Sequence, residues 1–274
     1  MPTNLGVILT RITEILFYAA IRTADNDYFC GMVEEFIHTA GIGRQALVQA
    51  VGKRRSVRTF TGAPLADDDR SMLEKLVSLP LLTGREEAFG TYGVVRNAAC
   101  FIAVPTGSDA TETRRNAARA ELIVLWLTSK GYGTCWLGST FHNVPGPKKL
   151  AALIAVGVPA PKAHLLSRLT SALARSTTRA PFAKLFETEQ GSAFEAALQL
   201  VRLAPSALNR QPWRAVQRGR IVRFYTASAD LMGELDMGIA LSHFELGAPA
   251  GEWMNEADAP GFPKARYIVS YSAK

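Results

Sequence analysis

Between Thr111 and Lys130 the spacing predicts one long helix, and within it Leu122 to Leu127 is apolar on every side. Such a helix does not suit a surface. It belongs at the centre of the molecule, buried by the rest of the chain. Gly131 stands where a helix-terminating glycine belongs.

The rest of the chain is mixed. Short apolar runs at Ala98 to Val104, Leu153 to Val158 and Arg266 to Tyr271 read as strands. Trp213 to Gln217 and Ile221 to Thr226 read as a hairpin turning at RGR. Leu5, Ile8, Leu9, Ile12, Ile15, Leu16 and Ala19 recur at helical spacing over 5–21. Further helices are expected from Tyr28 to Ile37, closed by AGIG at 40–43, from Gln45 to Val51 and over 68–79 after the acidic turn Asp67 to Asp69. Two more are expected from Gly191 to Leu203, and from an N-cap at Asp236 through Leu246. Residues 79–93 show no stable period, and Lys162 to Thr178 reads as a basic connector. Strands and helices do not alternate regularly, so α+β is favoured over a doubly wound sheet.

Composition narrows the class. The chain has 274 residues, 48% apolar and 20% charged, which excludes disorder and allows one large domain or two small ones. No stretch approaches the roughly 18 apolar residues needed to cross a bilayer. The start, MPTNLG, lacks the basic region of a signal peptide. Cys30, Cys100 and Cys135 are too few and scattered for a disulfide framework or a zinc site. A cytoplasmic protein without membrane contact is expected.

Thirty-one basic residues face 24 acidic ones, net +7. A solvated basic surface is the default explanation. The compact run Lys53 to Arg58, KRRSVR, instead suits a bidentate grip on one phosphate. A second basic zone spans Arg168 to Lys184. Neither alternates with aromatics and no recognition motif accompanies the charge, so nucleic acid is not an expected partner. GYGTCWLG, 131–138, follows a helix and reads as a helix stop rather than a dinucleotide fingerprint. No GxxxxGK[ST] loop and no GxSxG elbow occur. The four histidines lack ligand spacing, so no metal is expected, and Cys135 reads as a packed residue rather than a nucleophile.

Three segments, each with a bland structural explanation of its own, carry a joint resemblance: RRSVRTF at 54–60, GYGTCWLGSTF at 131–141 and APSALNRQPWR at 204–214. Together, and in this order, they resemble the FMN-dependent nitroreductase family, and within it the single-chain branch. The resemblance covers about residues 46–271. It implies a nitroreductase-like α+β fold: a central, mostly antiparallel sheet flanked by helices, in two pseudo-symmetric halves of about 46–185 and 186–274. Residues 1–45 would be an N-terminal helical extension.

The resemblance also implies a cofactor site. Arg54, Arg55, Ser56 and Arg58 would grip the flavin phosphate and ribityl chain, with a weaker match at Arg179. Ser206 and Asn209 would meet polar atoms of the flavin, while Gln211, Pro212 and Trp213 shape the loop. Leu137 and Gly138 would offer backbone N–H groups beside the reactive nitrogen. Tyr92 and Trp136 line the substrate pocket or pack in the core. No catalytic side chain is implied, because the flavin carries the chemistry. The expected activity is hydride transfer from NAD(P)H, as co-substrate, through FMN to a small acceptor such as a nitroaromatic or quinone. Alternatives are a flavin binder without turnover, or a flavoenzyme of the same fold with other chemistry, such as dehalogenation or heterocycle oxidation. With RRSVR in one half and PSALNRQPW in the other, a monomer could act as an intramolecular pseudo-dimer with a single complete site.

Overall fold

The all-apolar helix is the centre of the molecule. In the structure, a computed structural model, it is α4, Ala110–Ser129, and every residue from Leu122 to Leu127 is buried. Residues 29, 31–83, 91, 93–138, 141, 144, 149–162 and 178–274 are described. The helix expected over 5–21, Tyr92 and nearly all of the 162–178 connector lie outside them.

The first half runs α1 (Met32–Ala40), α2 (Arg44–Lys53), α3 (Asp67–Leu76), β1 (Cys100–Pro105), α4, β2 (Gly133–Leu137) and β3 (Leu150–Gly157). After a single turn, α5 (Phe182–Leu185), and the short strand β4 (Phe186–Glu187) comes the second half. It runs α6 (Glu195–Leu203), β5 (Trp213–Arg218), β6 (Ile221–Thr226), α7 (Leu231–Gly247), β7 (Gly251–Met254) and β8 (Arg266–Ala273). The fold is α+β. Its strands form two sheets, ordered β1-β3-β2 and β4-β5-β6-β8-β7, antiparallel except for the β4–β5 pair.

The halves repeat one element order. In each, a strand leads into a long helix, and two strands come after it, the second pairing with both of the others. Cys100–Pro105 and Ile221–Thr226, then Asp109 and Asp230, are separated by the same interval of chain. Each aspartate caps its helix: Asp109 Oδ1 accepts from Glu112 N and Asp230 Oδ1 from Gly233 N, both at 2.8 Å. The same interval relates Ala117 to Gly238, where α4 and α7 cross. A Cβ added at Gly238 would lie 2.1 Å from Arg114 O and 2.9 Å from Ala117 Cβ. The crossing therefore needs glycine at position 238, where it meets Ala117 of the other helix.

Three expectations are corrected. Asp236 does not cap a helix. Asp230 does, and Asp236 sits in the second turn of α7, buried. The reason is that α7 is buried from Gly233 through Phe244 on all sides, so no amphipathic stripe marks its start. The segment after Gly131 is not only a helix stop. Gly131, at φ 90°, ends the helix, and two residues later the chain enters β2. The acidic run at 67–69 forms the first turn of α3 rather than a cap; Ala66 stands at the N-cap, without a side-chain bond. Phe29, Val33, Phe36 and Ala40 join the main core, so this part of the N-terminal region is built into the molecule.

Candidate functional site

RRSVR folds as it does because α2 stops at Lys53 and the chain goes extended. Val57 N donates to Thr134 O at 2.9 Å, tying the segment to β2. On its other edge Arg96 N donates to Arg58 O at 2.9 Å and Phe60 N to Arg96 O at 3.0 Å. Gly133 makes this possible, since a Cβ there would come within 2.7 Å of Val57 Cβ. Extended backbone places alternate side chains on opposite faces. Arg54, Ser56 and Arg58 accordingly line one cleft, and Val57 packs away from it. Arg55 does not line the cleft. It is exposed, and its Nη1 donates to Gly52 O at 2.9 Å and Arg54 O at 2.8 Å.

The opposite wall comes from the second half. After α6, Pro205 to Gln211 makes a tight turn in which Leu208, Asn209 and Gln211 all have φ between 51° and 56°. Left-handed backbone is costly for non-glycine residues, so the surroundings must enforce it. Ser206 Oγ accepts from Gln211 N at 2.9 Å, and Asp236 Oδ1 accepts from Ala207 N at 2.8 Å. Gln211 Oε1 accepts from Ala180 N at 2.9 Å, and Trp213 is fully buried, so both shape the loop as its sequence suggests. Arg179 joins the turn to the arginine side. Its Nη1 donates to Asn209 Oδ1 at 3.2 Å and its Nη2 to Leu203 O at 3.1 Å, while Asn209 Nδ2 donates to Thr178 O at 2.8 Å.

The cleft thus has Arg54, Ser56, Arg58, Trp136, Leu137 and Gly138 on one side, and Arg179, Ser206, Leu208 and Asn209 on the other. It encloses about 1010 Å³, its open mouth included. Eight of the nine residues picked out by sequence come together here; Arg55 is the exception. Gly138 has a packing role as well, because a Cβ there would meet Met232 Sδ at 2.6 Å. The floor was not foreseen: Met232, Leu235, Asp236 and Ile239, one face of α7 at helical spacing. Leu137 and Cys135 belong to a small second core behind β2.

Electrostatics single out the arginines. Burial lowers the Arg54 pKa from its ordinary value; the charge of Glu121 opposes that shift and nearby Arg55 adds to it. Arg54 Nε is buried with no hydrogen-bond partner among the described residues. Arg179 is pushed down to about 10 by burial and by the like charges of Arg54, Arg55 and Arg202. Burial penalises the Arg54 guanidinium, and burial with the Arg54 charge penalises half-buried Arg179, and a bound anion would relieve that penalty. Burial raises the Cys135 thiol, which suits a packed residue and not a nucleophile. Burial also lifts the Asp236 carboxyl to about 7.

Fold and cleft together define an α+β protein with an arginine-lined cleft between two similarly built halves. The sequence profile of the family described as "Putative TM nitroreductase" matches residues 46–248, and the chain belongs to this nitroreductase family of oxidoreductases. Among solved structures, one described as "a putative nitroreductase" from Thermotoga maritima is 21% identical with a TM-score of 0.56, over 82% of this chain and 91% of that one. That likeness establishes the fold. A nitroreductase with bound FMN from Bacteroides fragilis is 19% identical at a TM-score of 0.35, over 43% of this chain and 91% of its own. An FMN-dependent nitroreductase from Clostridium difficile is 15% identical at 0.33, over 45% and 94%. No curated protein matches the chain. Among the described residues no helix is long and apolar enough to cross a membrane.

Proposed function

We propose that this chain is an FMN-dependent oxidoreductase that takes hydride from NAD(P)H and delivers it to a small acceptor such as a nitroaromatic or a quinone. The observation that carries the proposal is the convergence of Arg54, Arg58 and Arg179 on one cleft, with Arg54 buried and its Nε unsatisfied. Guanidinium forks match a phosphate monoester, and the Ser56 hydroxyl adds a donor or acceptor beside them. FMN carries such a phosphate at one end and a planar apolar ring at the other, and the cleft has both characters. Leu137, Leu235 and Ile239 offer the ring an apolar surface, and Ser206 and Asn209 offer polar edges.

Bound FMN would supply the hydride chemistry. The chain's own work is then to bind, orient and shield. Arg54, Arg58, Arg179 and Ser56 hold the phosphate. Leu137 and Gly138 at the end of β2 would offer backbone N–H groups to the ring, and the Pro205 to Asn209 turn would close the cleft from the other half. Since each half supplies a different wall, one chain holds one flavin, and a monomer is competent. Residues 46–274 make up the flavin-binding domain on this proposal, with 1–45 an N-terminal extension.

Titrating apo-protein with FMN should quench flavin fluorescence and saturate at one per chain, and NADH or NADPH should then bleach the visible spectrum without oxygen. Arg54→Ala should weaken FMN about 10- to 100-fold, the loss of a charge-assisted bond, and riboflavin far less, because only FMN has the phosphate. Absence of FMN binding at micromolar protein, or equal losses for the two flavins, refutes the assignment. Binding without bleaching leaves a flavin binder and removes the reductase.

A further inference from the structure

Behind the cleft wall lies a buried polar pair that the flavin site does not use directly. Glu121 on α4 and His243 on α7 have side chains 0% exposed, one from each half. His243 Nε2 is 3.0 Å from Glu121 Oε1, and His243 Nδ1 is 3.0 Å from Leu200 O. A carbonyl can only accept, so Nδ1 carries a hydrogen. One proton then lies between Nε2 and Oε1, and the pair is imidazolium with carboxylate or imidazole with carboxylic acid, neutral in sum either way. The other carboxyl oxygen, Oε2, accepts from Trp136 Nε1 at 2.8 Å.

One end of this chain of hydrogen bonds reaches the cleft, and the other lies on the helix that leads into the turn. Trp136 lines the cleft on the first-half side. Leu200 belongs to α6, whose end runs directly into the Pro205 to Asn209 turn on the second-half side. Around the pair, α4 and α7 are otherwise packed with Leu, Ile, Val, Ala and Phe. Apolar residues in place of a buried ionisable pair are often neutral or stabilising, so stability alone is a poor reason for it.

We propose that Glu121 and His243 are positioning residues of the cleft, holding the Trp136 indole as a fixed wall in register with the turn that α6 carries. The planar ligand is then received by a preformed slot rather than by a mobile ring. The proposal rests on the flavin assignment for its probe, FMN, and on the hydrogen-bond chain for its substance.

The test compares FMN dissociation constants, by fluorescence quenching, across Glu121→Gln, Glu121→Leu, Trp136→Phe and the double variant Glu121→Leu/Trp136→Phe. Glutamine can accept from the indole and donate to His243 Nε2, so Glu121→Gln should stay within about threefold of wild type. Glu121→Leu and Trp136→Phe should each weaken FMN about tenfold, and the double variant should be no worse than the weaker-binding single one. Additive losses, wild-type binding by Glu121→Leu, or equal damage from Gln and Leu would overturn the proposal. A second readout needs no flavin and covers an unfolded Glu121→Leu: the Trp136 indole proton, assigned by its disappearance in Trp136→Phe. Slow hydrogen exchange in wild type and in Glu121→Gln supports the chain, and rapid exchange in wild type overturns it. Wild-type protein that fails to bind FMN counts against the flavin assignment, and the indole proton still decides the positioning role.

Discussion

The two halves share a scaffold and differ in what they hang on it. Each has a capped long helix after a strand of matched position, and each sheet has the same three-strand pairing around β3 or β8. The segments that connect the preceding helix to this frame are different. After α2 comes an extended arginine strand; after α6 comes a tight turn with three left-handed residues. A repeated frame supplies rigidity, while the unlike connections supply the two walls of the cleft, arginines from one half and a polar turn from the other. The floor differs too: Asp236 on α7 occupies the place that Arg115 takes on α4.

The largest expected break in this comparison is at the helix crossing. Gly238→Leu should destabilise the fold by about 3 kcal/mol or more, because its side chain meets the backbone at Arg114 with no room to yield. Ala117→Gly, at the equivalent place, should cost about 1 kcal/mol, the helix-propensity difference. Urea unfolding of the two variants measures both, and equal effects would mean the crossing is not the tight point.

Next comes the floor. Asp236 faces Arg210, Asp230 and the Ala207 N–H, and burial raises it from 3.8 to about 7. A raised native value means the folded state binds a proton that the unfolded state has released. Its stabilising contribution is full below about 3.8 and lost as pH rises through about 7, so stability should fall by about 2 kcal/mol between pH 5 and 7. Glu245, raised by burial from 4.5 to about 7, acts in the same direction. Asp236→Asn keeps an acceptor for Ala207 and should flatten the slope while leaving the Glu245 share. An unchanged slope would remove Asp236 from the account.

The smallest effect tests the scaffold itself. Asp109→Ala and Asp230→Ala should each lower stability by about 1 kcal/mol through loss of an N-cap. Asp230 should cost slightly more, because it also accepts from Ser228 Oγ at 2.9 Å and pairs with Arg210 at 3.1 Å. Thermal melts that differ widely between the two would show that the halves are not equivalent frames.

Sequence determined the elements and most of the site's chemistry. Leu122 to Leu127 announced a buried central helix, and RRSVR marked a compact arginine cluster, because side-chain periodicity and charge are local properties. Arg55 shows the limit of that reasoning: it belongs to the same run, yet strand alternation turns it to solvent. The cleft floor was illegible for a related reason. A helix buried on all sides has no distinguishable face, so Met232, Leu235, Asp236 and Ile239 carry no signal until α4 and the turn are packed against them. The Glu121–His243 contact joins residues far apart in the chain, and no spacing encodes it. Tertiary structure alone decided which polar groups meet in the core, since that depends on how two helices cross at Gly238 and not on any one segment's preference.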